Sequence, residues 1–104
     1  MIRLKRSTRD DKKYMVLIDI SAKRGQKAIS KTVHFGQKGY SDYTKHKDYD
    51  RMKNYLARHK TRENWGKSGI TTAGFWSRWL LWNKPTLKDS IKDVEKRFKV
   101  KISH

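Results

Sequence analysis

The chain has 104 residues, 27 of them Lys or Arg against 10 Asp or Glu, for a formal net charge of +17. That is one domain's length, and four Trp, five Tyr and three Phe supply the small core that so charged a chain would otherwise lack. With no cysteine, disulfide scaffolds, thiol catalysis and Cys-ligated zinc are excluded, no apolar run approaches the ~20 residues of a membrane span, and the N-terminal residues lack the ~7–15-residue apolar segment of a signal peptide.

What remains is the expectation of a soluble, intracellular, polycationic single domain over residues 1–104. In chain order, Ile2-Arg3-Leu4-Lys5 alternates apolar and basic residues and reads as a short edge strand. Tyr14 to Ile20 is the clearest strand, with Tyr14, Val16, Ile18 and Ile20 on one face and Met15, Leu17 and Asp19 on the other. A loop centred on Gly25 follows, then a second strand from Ile29 to Phe35. Its apolar face holds Ile29, Val33 and Phe35, with Lys31 the exception, and the pair reads as a hairpin with a long loop.

Gly36 to Thr44 reads as an ordered loop into helix one, which starts at Lys45 or Asp48 and ends near Lys60. Its stripe is Tyr49, Met52, Leu56 and His59, widened by Tyr55. Helix two is capped by Thr71 or Thr72, runs through Phe75 to Trp82, and stops before Pro85. Thr86 and Asp89 form a variant capping box for helix three, in which Leu87, Ile91, Val94 and Phe98 line one face. Val100-Lys-Ile102 alternates and can add a strand. Strands come first and helices after, so the expected class is α+β: an N-terminal β-hairpin, with room for short edge strands at the chain ends, followed by three helices.

Several segments in the middle of the chain carry a resemblance. His34-Phe35-Gly36, Gly39-Tyr40-Ser41-Asp42-Tyr43-Thr44, Tyr55-Leu56-Ala57-Arg58-His59 and Arg62-Glu63-Asn64-Trp65 stand in one order. Ala73-Gly74-Phe75 and Leu81-Trp82-Asn83-Lys84-Pro85 complete it. Together they resemble a family of small basic proteins encoded by giant and algal large DNA viruses, the mimivirus and phycodnavirus relatives. The likeness spans residues 31–98 and leaves the N-terminal third uncovered. It implies a viral source and a place in the virion or the viral factory of an infected cell. It supplies no activity and no catalytic residue.

The cations concentrate in two places. Lys23, Arg24 and Lys27 crowd the hairpin loop, where a basic tip can lie along phosphates or enter a groove. Arg58, Lys60, Arg62 and Lys67 follow helix one, interleaved with Trp65, whose own expected place is the core. In helix two, Phe75, Trp79 and Trp82 share a core-facing side, while Trp76 and Leu80 fall on another. So small a protein is not expected to bury both faces, which makes Trp76 and Leu80 candidates for a protein interface. Asp42, Asp48 and Asp50 near His46 offer a metal-ligand set, but helix capping and pairing with Lys45, Lys47 and Arg51 account for them first.

The expectation is a non-enzymatic protein with no cofactor, no metal and no small-molecule substrate. It binds nucleic acid, above all viral DNA, through phosphates and with little sequence preference. The alternatives are a minor capsid protein docking on coat proteins through Trp76 and Leu80 and, well behind, a metal-dependent nuclease.

Overall fold

The period-2 apolar residues near the N-terminus build a sheet with one buried face. In the computed structural model, which describes residues 2–20 and 29–104, the strands are β1 (Ile2–Arg6), β2 (Lys12–Ile20), β3 (Ile29–Gln37) and β4 (Ile102–Ser103), in the spatial order β3-β2-β1-β4. β1 and β3 flank β2 antiparallel, and β4 joins β1 in parallel. The register sets Ile2 opposite Ile18 and Leu4 opposite Val16, and on the other side Val16 opposite Val33 and Tyr14 opposite Phe35. Every second residue therefore faces the core, and the cross-strand pairs bury against one another. Arg3, Lys5, Asp19, Ser30 and Thr32 stay exposed on the opposite face.

β1 is not the edge strand its length suggested. The two-residue β4 pairs on its outer side with Ile2 and Arg3, held there by the Ile102 N–H donating to a Glu95 carboxylate oxygen at 3.0 Å. A pairing made by residues a whole chain apart leaves no local signal at Ile2–Arg6.

Four helices follow the hairpin. α1 (Tyr43–His46) is capped by Asp42, and α2 (Tyr49–His59) by Asp48, whose carboxylate accepts the N–H groups of Asp50 and Arg51. Lys47 at φ 54 takes the left-handed conformation that separates the two. Its ammonium donates to the carbonyls of Thr44 and Pro85, at 3.1 and 2.9 Å, and ties α1 to the loop at Pro85. Of the expected stripe on α2, Met52 is buried and Leu56 half-buried, but Tyr49 points outward, 59% exposed.

α3 (Ala73–Trp76) is capped by Thr72 and continues as a π-helical turn over Ser77–Leu81; α4 (Leu87–Phe98) is capped by Thr86. The π turn inserts an extra residue into the helical repeat and redistributes the aromatic side chains. α3 and its π turn pack on β3 on one side, and the π turn packs on α4 on the other. Trp76 meets Phe35 of the sheet at 6.5 Å between ring centroids, while Phe75 and Trp79 meet Phe98 of α4 at 5.0 and 5.3 Å.

Trp76 and Leu80 are consequently core residues, each 0% exposed, and not the protein-docking surface expected from the helical wheel. The Trp76 indole N–H donates to the Ile70 carbonyl at 2.7 Å, so even its polar edge is satisfied inside. The sheet covers one side of the helix and α4 the other, which is how both faces are buried in so small a protein. Trp65 is half-buried against this core as expected. No helix among the described residues is long and apolar enough to cross a membrane.

Candidate functional site

The hairpin end formed by Lys12 and Gln37 lies beside the loop into α1, and here a buried ion pair organises the surface. Lys13 donates to the Asp42 carboxylate at 2.6 Å, with side chains only 10% and 3% exposed. Asp42 also accepts the Thr44 N–H at 2.9 Å and the Thr44 hydroxyl, so its charge is fully engaged. The Lys13 ammonium donates further to the Tyr40 carbonyl, fixing the loop between β3 and α1 onto β2. Gly36, at φ +76, lets β3 run close under the Leu81 side chain: a Cβ there would meet Leu81 Cδ1 at 2.7 Å.

Two depressions open on either side of Lys13. The larger, about 540 Å³, runs from Lys13 and Tyr40 to Arg51, Arg58 and the Tyr55–Trp82 wall. The smaller, about 390 Å³, is ringed by Arg6, Lys13, Lys38 and Lys45, with Ser7 and Tyr14. Six cations border the pair against one carboxylate, Asp42, which Lys13 already neutralises. Arg6, Lys38, Lys45, Arg51 and Arg58 are all exposed, so a net positive field faces solvent here with little internal compensation.

The wall is a stack of rings. Tyr55 lies 4.1 Å from Trp82 with planes 2° apart, and 4.1 Å from His59 with planes 22° apart. Trp82 meets His46 at 5.4 Å. His59 is held by Glu63, whose second oxygen takes the Trp65 indole N–H at 2.9 Å. Burial pushes the Tyr55 hydroxyl up to about 12; the charge of Glu63 adds to the rise, and Arg78 and Arg58 oppose it. Behind the wall, the Arg78 guanidinium lies 4.2 Å from the Trp79 ring centroid and 5.4 Å from that of Trp65. Its burial, then the neighbouring Arg97 charge, lowers its pKa.

The cations singled out from the sequence meet this site only in part. Arg58 lines the larger depression. Lys60 is the α2 C-cap, Arg62 donates back to the Arg58 carbonyl at 3.5 Å, and Lys67 sits in a separate 3₁₀ turn, Lys67–Gly69. Lys23, Arg24 and Lys27 lie outside the described residues. Sequence reasoning missed Arg6, Lys13, Lys38, Lys45 and Arg51, because they gather only once Lys12 pairs with Gln37 and α2 folds alongside. Extending both strands to those two residues was the available signal: it sets Lys13 next to Gln37 and Lys38.

The acidic group does not assemble into a metal centre. Asp42 is paired with Lys13 and Asp48 caps α2, and no cluster of three or more His, Asp or Glu placed to hold a metal occurs among the described residues.

A family model described as a family of unknown function, DUF5754, matches residues 2–59. No curated protein and no solved structure matches the chain. The matched region takes in the hairpin, α1 and α2, and with them all six cations bordering the two depressions. It covers the N-terminal third that the viral resemblance left out. Since it spans more than half the chain, this protein belongs to the DUF5754 family.

Proposed function

We propose that this protein binds nucleic acid without catalysing a reaction on it, chiefly through phosphates and with little preference for sequence. The observation that carries this reading is the paired depressions bordered by six cations and a single, already neutralised carboxylate. Polyanion binding of this kind is driven by counterion release and needs no recognition helix. The likeness to small basic proteins of large DNA viruses favours viral DNA as the polyanion, met in the virion or viral factory.

A capsid-cementing role through Trp76 and Leu80 is set aside, because neither side chain reaches the surface. The nuclease alternative has no observation in its favour.

The test is the salt dependence of binding to a labelled DNA duplex. Five cations around the depressions are exposed, Lys13 being committed to Asp42. If each meets a phosphate, log Kobs against log salt falls with a slope of roughly −4.5, from about −0.9 per phosphate. Arg51→Glu with Arg58→Glu flattens that slope and weakens binding. A slope near zero, or an unchanged slope in the double variant, overturns the proposal.

A further inference from the structure

Of the aromatic residues bordering the larger depression, one is free. Tyr55 has Trp82 on one side and His59 on the other, and Trp82 is held between Tyr55 and His46. Tyr40 is 67% exposed, and no ring of another described residue stacks on it. Its backbone is held in place on both sides of the residue. Gly39 before it turns at φ +88, the Tyr40 N–H reaches the Gln37 carbonyl at 3.4 Å, and the Tyr40 carbonyl accepts from the Lys13 ammonium.

Its position joins the two depressions. Tyr40 borders the larger one, and its neighbours Lys38 and Gly39 border the smaller. Cations of Arg6, Lys38 and Lys45 stand on one side of it, and Arg51 and Arg58 on the other. Phosphate-binding charge on both sides of an exposed, pre-placed aromatic is the arrangement that holds single-stranded nucleic acid, because every base offers a face to stack. The depression also has the capacity of a small-molecule site, and a base must leave its duplex to occupy one. Gln37, Ser41 and Ser77 on its lining are adaptable polar groups that impose no fixed donor–acceptor code on the base.

The geometry points to a single-strand site: Tyr40 stacks on an unpaired base at the mouth of the larger depression, while the flanking cations take the adjoining phosphates. This rests on the nucleic-acid reading above and adds the strand state and the contact that selects it. Tyr49 supplies an internal control, being 59% exposed but away from both depressions, with Lys53 over its ring at 5.5 Å.

The experiment titrates the full chain, by fluorescence anisotropy at one fixed salt concentration, against three labelled probes. These are an oligothymidylate, an abasic strand of the same length and charge, and a duplex with the same number of phosphates. The expected result is that the oligothymidylate binds about tenfold more tightly than the abasic strand, the size of one base–aromatic stack. Tyr40→Ala removes that margin, Tyr40→Phe keeps it, and Tyr49→Ala leaves it unchanged. Near-ultraviolet circular dichroism verifies that each variant is folded. Equal binding of all three probes, or a margin that survives Tyr40→Ala, overturns the single-strand site and leaves phosphate binding standing. No binding of any probe at low salt overturns both.

Discussion

Removing the Lys13 ammonium tests whether a buried ion pair organises the site. Lys13→Met preserves the aliphatic stem and leaves the Asp42 carboxylate, 3% exposed, with the Thr44 N–H and hydroxyl as its remaining partners. Stranding a buried charge costs about 3–5 kcal/mol, a large part of the roughly 5–15 kcal/mol that holds a domain together. Urea denaturation followed by tryptophan fluorescence reads the loss as a fall in midpoint with an unchanged slope. Adding Asp42→Asn removes the stranded charge and keeps an N-cap acceptor for α1. The double variant is therefore expected to recover about 0.5–3 kcal/mol, the coupling typical of residues in direct contact. If Lys13→Met costs less than about 1 kcal/mol, or if the two substitutions simply add, the pair does not organise this surface.

The remaining predictions concern core, cap and pH. Trp76→Ala deletes a fully buried indole and its hydrogen bond to Ile70 and is expected to cost about 3–5 kcal/mol in the same assay; a loss within ~0.5 kcal/mol, as at a surface position, would place the residue outside the core. Lys99 caps α4 at φ 54 with its side chain exposed, so Lys99→Gly is expected to raise stability by about 0.5–1 kcal/mol, read as a higher Tm. At Asp93, partial burial tends to raise the carboxyl, but hydrogen bonds from Asn83 and Arg97 and the charges of Arg97 and Lys84 outweigh it and hold the group below its ordinary value. Its stabilisation is present above the unfolded carboxylate pKa of about 3.9 and fades as pH falls through the lower folded value; Asp93→Asn should flatten stability against pH in that acid window and leave the neutral range with a constant offset. Tyr55 is expected to ionise only near pH 12, so Tyr55→Phe should remove a phenolate step near that pH from an ultraviolet titration of the folded protein.

Much of the fold could be read locally. Strand alternation at Tyr14–Ile20, the Thr86 cap and the Leu87–Phe98 stripe each carry their own period or side-chain hydrogen bond, and each appears in the structure. The choice between Lys45 and Asp48 as the start of helix one settles on Asp48 for α2, with a separate turn of helix before it. Two features had no local signature. β1 is interior because β4 reaches it from the far end of the chain. Trp76 and Leu80 are buried because a sheet and a helix cover opposite sides of α3 and its π turn, and the helical wheel does not record how many layers surround it.

The candidate site was the least legible part. Charge clustering in sequence pointed to Lys23, Arg24 and Lys27, and to Arg58 through Lys67. The depressions instead collect cations from positions 6, 13, 38, 45, 51 and 58, of which only Arg58 had been singled out. Sequence density finds cations that share a segment. Cations that share a surface depend on register and on helix placement, and Tyr40 stands out only once Tyr55 and Trp82 are seen to be occupied with each other.

Amide chemical-shift mapping tests the central claim most directly. The uniformly labelled protein is titrated with an unlabelled oligothymidylate and the perturbed amides are assigned. The largest shifts are expected at Lys13, Lys38, Tyr40, Lys45, Arg51 and Arg58, around the two depressions. Shifts confined to residues 23–27, or spread evenly over Lys88, Lys92 and Lys96 of α4, would contradict the site.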